Sequence, residues 1–141
     1  MKQNVMLHIK GIQAYEGQDP DTIELTTEGT MERLDGGWNI AYEESDLTGL
    51  KGATTTFRVE DGTVDLRRTG ALQSQMFFQE GVSHESLYQI DAGALLVRVC
   101  AQRVFHNISE DGGTIQVSYS IEIENTMAGT VDYFITIAPM G

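Results

Sequence analysis

Three charged side chains stand where an alternating pattern otherwise points apolar groups inward. Glu44 follows Trp38, Ile40 and Tyr42 at two-residue intervals, Arg68 follows Val64 and Leu66, and Arg103 lies between Ala101 and Phe105. Successive side chains of a strand point to opposite faces, so each charge shares the face of its apolar neighbours. A buried charge is costly unless it is paired and hydrogen-bonded. Two chemistries meet that cost. In one, Glu44 pairs with an arginine and orients a strand end. In the other, Arg68 or Arg103 meets the carboxylate or phosphate of a ligand whose apolar body fills the interior, because the planar guanidinium fork binds such anions bidentately. A slip of register through a bulge would instead put these side chains outside. Tyr42, Tyr119 and Tyr133 share the inward faces, and their hydroxyls need partners if buried. Arg68, Arg103, Glu44, Tyr42, Tyr119 and Tyr133 are therefore the candidate ligand-binding residues, with core packing the commoner role for the tyrosines, Trp38 and Phe105.

No other chemistry is legible. His8, His84 and His106 have no metal-ligand spacing, and with a single cysteine a structural zinc site is not expected. Cys100 sits among apolar neighbours with only Arg98 near it, a poor setting for a nucleophile. The nucleophile elbow, the P-loop and the dinucleotide fingerprint are absent. The expectation is no catalytic residue, no metal and no cofactor, with an enzyme ranked behind a binding or interaction module.

The elements that must position the candidates are strands. The longest signal is 112–125, GGTIQVSYSIEIEN, where Ile115, Val117, Tyr119, Ile121 and Ile123 share one face and polar residues the other. Val117, Tyr119 and Ile121 are expected among the most buried residues. A first strand carries Val5, Leu7 and Ile9, followed by a loop over 13–21. A second runs from Ile23 to Met31 with an acidic outer face of Glu24, Glu28 and Glu32, and Gly29 marks a bend or bulge. Asp35-Gly36-Gly37 turns into a strand of Trp38, Ile40 and Tyr42, and 45–52 reads as a loop able to start one helical turn. Asp61-Gly62 is the strongest hairpin dipeptide, joining 54–60 to a return strand that Gly70 breaks. Shorter strands at 72–78 and 86–90 follow, then an Ala92-Gly93 turn. A long strand from Leu95 to Phe105 comes next, and a last strand through Val131, Tyr133, Ile135 and Ile137 follows a Met127-Ala128-Gly129 turn. No window keeps capped helical spacing. About ten strands in sequential hairpins give one all-β domain over 1–141, an antiparallel up-and-down meander that closes into a barrel of eight to ten strands. Such a barrel is either filled by side chains or holds one small ligand.

Composition narrows the partners. A formal charge of −12 repels phosphate backbones and anionic membrane surfaces, so neither nucleic acid nor membrane is expected. One cysteine excludes an internal disulfide and suits a reducing compartment, the chain start lacks a secretory signal, and no run is long enough to span a bilayer; the expected location is the cytoplasm. A homodimer stays open.

The order of several motifs resembles an uncharacterised bacterial family, DUF1934 or the YwiB-like proteins, grouped by fold with the calycins and lipocalins. The motifs are Tyr42-Glu43-Glu44, Thr48-Gly49-Leu50-Lys51-Gly52-Ala53-Thr54, Arg68-Thr69-Gly70, Met76-Phe77-Phe78 followed by Gly81, and Val117-Ser118-Tyr119-Ser120-Ile121. The chain departs from the family's Tyr-rich turn with YQIDAG at 88–93. The resemblance implies a lipocalin-like barrel and no established activity. The residues themselves leave two function classes: a binding module for a small, partly apolar ligand, anionic where an arginine meets it, and a solid-cored barrel acting as an interaction or structural module. The volume of the interior separates them.

Overall fold

The computed structural model describes residues 2–15, 17–44, 51–70, 73–90 and 93–140. Ten strands succeed one another: β1 Lys2–Tyr15, β2 Asp21–Leu34, β3 Gly37–Glu43, β4 Ala53–Glu60, β5 Thr63–Gly70, β6 Ser74–Gln79, β7 Ser83–Ile90, β8 Gly93–Ser109, β9 Gly112–Ile123 and β10 Thr126–Pro139. They form one antiparallel sheet in the order β6-β5-β4-β3-β2-β1-β10-β9-β8-β7. The first and last strands pair at its centre, and the two edges come from strands consecutive in sequence. The sheet curls into a nearly closed barrel. At the seam, Gly81 N donates to Ala101 O at 2.9 Å and the Glu80 carboxylate accepts from Val104 N at 2.9 Å. Val5, Leu7, Met31, Ile40, Phe57, Phe78, Ile115 and Ile135 are among the residues that fill the interior.

Turn chemistry sets the hairpins. Leu34 pairs with Gly37 and Glu60 with Thr63 across Asp35-Gly36 and Asp61-Gly62, whose glycines take φ of +80° and +77°. The last hairpin differs from expectation. It turns at Glu124-Asn125, both left-handed at φ 50° and 67°, while Met127 and Gly129 already belong to β10 and flank a bulge. Non-glycine residues tolerate that conformation here because the turn is tied to β8: Leu96 N donates to Glu124 Oε1 at 2.8 Å, and Glu124 N donates to Leu96 O at 2.9 Å.

Other boundaries shift. β1 continues through Gln13 to Tyr15, because β10 pairs with it as far as Tyr15 and β2 as far as Gln13. The expected features at 45–50, Leu72 and Ala92 lie outside the described residues. Ile121 is only partly buried, since β9 runs out past the filled part of the barrel there, whereas Val117 and Tyr119 are buried. Gly29 carries no bulge; β2 pairs with β1 in unbroken register through it. Its role is close approach. A Cβ there would lie 2.5 Å from Ala41 O and 2.8 Å from Leu7 Cδ1. Gly29→Ala should therefore lower stability by about 1–3 kcal/mol, read as a lower urea midpoint. An unchanged midpoint would mean that β2 and β3 separate freely.

Candidate functional site

Two hairpins lay a polar row across the inner face. Tyr42 on β3 is opposite Thr55 on β4, and Thr55 is opposite Arg68 on β5. Glu44 follows two residues beyond Tyr42, held by its amide donating to Ala53 O at 2.9 Å. The Thr55 hydroxyl donates to Glu44 Oε2, and Arg68 Nε stands 3.7 Å from the same oxygen. The Glu44 side chain is 1% exposed and that of Arg68 14%. From β10 across the barrel, Tyr133 accepts a hydrogen bond from Arg68, and the Tyr42 hydroxyl contacts both Tyr133 and Glu44. Phe57 lies against both phenols, its ring 6.4 Å from Tyr42 and 6.0 Å from Tyr133. Glu44 is thus buried and Arg68 partly so, in a geometry that pairs them and surrounds them with hydroxyls, the condition under which burial is tolerable. One acceptor remains: Glu44 Oε1 is buried with no hydrogen-bond partner among the described residues.

Burial pushes the Tyr42 phenol far above the usual tyrosine range, and the neighbouring Tyr133 and Glu44 push it in the same direction. Burial also raises Tyr133, against the opposing pull of Arg68. A group whose folded pKa is raised contributes stability that is present below its unfolded value, about 10 for tyrosine, and is lost as pH climbs above it. Stability should fall steeply above about pH 10, and Tyr42→Phe should flatten that fall. Urea midpoints across this range check it; equal slopes in both proteins would show that Tyr42 ionises freely in the fold.

Of the six candidates the structure brings four together: Tyr42, Glu44, Arg68 and Tyr133. Tyr119 packs deeper, its ring 4.6 Å from Phe78. Arg103 is exposed on the outside, which corrects its expected inward face. The pairing of β8 with β9 slips between Ala101 and Arg103, so one extra residue, Gln102, reverses every later side chain. Val104 and Ile108 then pack against the core and Phe105 is 46% exposed, so Phe105 is not core either. Thr55 was the partner missed in sequence, although it alternates with Ala53 and Phe57 on the inward face.

Among the described residues, the interior is packed. The space enclosed by Phe57, Phe78, Tyr119, Tyr133 and their neighbours is about 10 Å³. Larger volumes lie outside: a cleft of about 290 Å³ beside Glu43, Glu44 and Lys51, and one of about 550 Å³ where β2 and β3 diverge. Among the described residues no group of three or more His, Cys, Asp or Glu could hold a metal ion, and no helix is long and apolar enough to cross a membrane.

The polar row, Phe57 and the β10 phenol all fall within residues 7–135, the span matched by the family model described as a domain of unknown function, DUF1934. The chain belongs to the DUF1934 family. A relative within reach of this DUF1934 chain is the uncharacterized β-barrel protein YwiB of Bacillus subtilis (strain 168), 27% identical over 126 residues, 87% of this chain and 86% of YwiB. The crystal structure of the B. subtilis ywiB protein superposes with a TM-score of 0.86 over 99% of this chain and 94% of that one, at 22% identity. That likeness shows a shared β-barrel fold.

Proposed function

We propose that this DUF1934 protein is a solid-cored barrel that works through its outer surface, as an interaction or structural module. The observation that carries the reading is the interior volume of about 10 Å³, against the roughly 300 Å³ or more of sites that enclose a small molecule. Arg68, which would have met an anionic headgroup, already faces Glu44 and Tyr133. The lone cysteine supports a reducing, cytoplasmic setting, and the charge of −12 supports a partner that is neither nucleic acid nor anionic membrane. A thermal-shift series with medium-chain fatty acids and similar amphiphilic anions tests it. Saturating occupancy at a hundredfold excess over Kd would add about 2.7 kcal/mol and raise Tm by several degrees; the expected result is no shift, and a saturable rise overturns the reading.

One observation favours a second reading. The unpartnered Glu44 Oε1 borders the outer cleft beside Lys51, so a small ligand would sit at this mouth, on Tyr42, Glu44, Arg68 and Tyr133, and would bring a hydrogen-bond donor such as an amine or hydroxyl. Stabilisation by such compounds that disappears in Glu44→Gln would support it.

A further inference from the structure

The second strand is longer than the neighbour on one of its sides. β1 pairs with it from Gln13 opposite Asp21 to Lys2 opposite Glu32, but β3 pairs only from Thr30 to Leu34. Among the described residues, 21–29 therefore have a strand on one side alone. At about 3.3 Å per residue this is roughly 30 Å of open edge. No described element other than β1 and β3 packs extensively against β2.

The pairing shows which backbone groups are open. A two-residue hairpin closes on a hydrogen-bonded pair, here Leu34 and Gly37. Antiparallel strands alternate the side to which successive residues bond, so Thr30, Glu32 and Leu34 face β3. By the same alternation Thr22, Glu24, Thr26 and Glu28 aim N–H and C=O at the open side. Their side chains carry the acidic outer face, while the opposite face offers Ile23, 44% exposed, and the partly buried Leu25. The cleft of about 550 Å³ between β2 and β3, bordered by Glu28, Gly29 and Glu43, continues this edge and leaves room for the end of an added strand.

We infer that the open edge of β2 is a docking site for an extended, basic segment of a partner protein, which adds as a strand beside residues 21–29. The inference rests on the reading that the protein acts through its outer surface. Strand addition takes affinity from main-chain hydrogen bonds and specificity from alternate side chains. Here one face asks for apolar residues over Ile23 and Leu25, and the other for Lys or Arg beside Glu28 and beside Glu24, which is half exposed and already lies 3.8 Å from Lys10 Nζ. Charge complementarity selects against a second copy of this chain. Antiparallel pairing of two such edges would bring Glu24 and Glu28 of both copies together between molecules that each carry −12.

A peptide of roughly nine residues alternating valine and lysine is the probe, with glutamate replacing lysine in the control. Binding is read by fluorescence anisotropy and located by amide hydrogen exchange. The expected result is binding of the lysine peptide alone, weakened by salt, with new protection at Thr22, Glu24, Thr26 and Glu28. Thr26→Pro removes one open donor without touching the ladder to β1, and should weaken binding about tenfold while Tm stays close to wild type. Glu24→Gln with Glu28→Gln should also weaken it and flatten its salt dependence. No binding of the lysine peptide, or protection at those amides already present in the free protein, overturns the inference. Concentration-dependent dimers protected at the same amides would replace the basic partner with a second copy and overturn it as well. Peptide binding with protection elsewhere removes this edge but leaves the outer-surface reading standing, whereas a saturable amphiphile in the barrel removes that reading itself.

Discussion

Arg68→Met lowers the unfolding free energy by on the order of 3–5 kcal/mol, the cost of leaving one member of a buried ion pair without its counter-charge. The side chain left behind is Glu44, 1% exposed, with the Thr55 hydroxyl and Tyr42 as its neighbouring donors. A surface bridge such as Arg33–Glu110, with both side chains more than two thirds exposed at 69% and 81%, should by contrast cost under about 1 kcal/mol when broken. Adding Glu44→Gln to Arg68→Met should recover part of the loss, because an amide accepts from Thr55 without carrying an uncompensated charge. The coupling energy from the double-mutant cycle is the readout. Additive losses would mean that Glu44 and Arg68 act independently, and the polar row would lose its physical basis.

Phe57→Ala should cost as much, about 3–5 kcal/mol, and for a different reason. Phe57 is fully buried, packs against Tyr42 and Tyr133, and borders the residual interior space. Removing the ring opens a cavity beneath the polar row and withdraws the apolar wall that holds both phenols in place. Phe57→Leu keeps most of the volume and should recover much of the loss. Chemical denaturation of the three proteins measures both. A loss below about 1 kcal/mol for Phe57→Ala, the ordinary scale of a point mutation, would show that the interior relaxes around the gap and is not tightly packed.

The alternation in 112–123 and 53–59 carries the fold, because one buried face per strand enforces register and leaves a period of two in the sequence. The meander also follows from the turn dipeptides at Asp35-Gly36 and Asp61-Gly62. The same alternation brought Glu44, Arg68, Tyr42 and Tyr133 to one interior. It failed at Arg103 because a bulge leaves no mark in composition: Gln102 looks like any outward polar residue, and only the slipped pairing with β9 shows the reversal. The Glu124-Asn125 turn was hidden for a related reason. Its left-handed residues are held by Leu96, nearly thirty positions away, and not by a glycine. Whether the barrel is open or filled was likewise beyond alternation, which says which side chains point inward but not how closely Phe57, Phe78 and Tyr119 meet across the centre. The open edge of β2 depends on where β3 stops pairing, a property of two strands and of neither sequence alone.

Among the described residues the space at the barrel centre is about 10 Å³, too small for a guest. Native mass spectrometry of the protein as purified tests this most directly. The predicted spectrum holds the bare chain at 15.6 kDa, without a bound small molecule. A stoichiometric adduct of a few hundred daltons, the size of ligand that a site of roughly 300 Å³ encloses, released on unfolding and lost in Phe57→Ala, would contradict it.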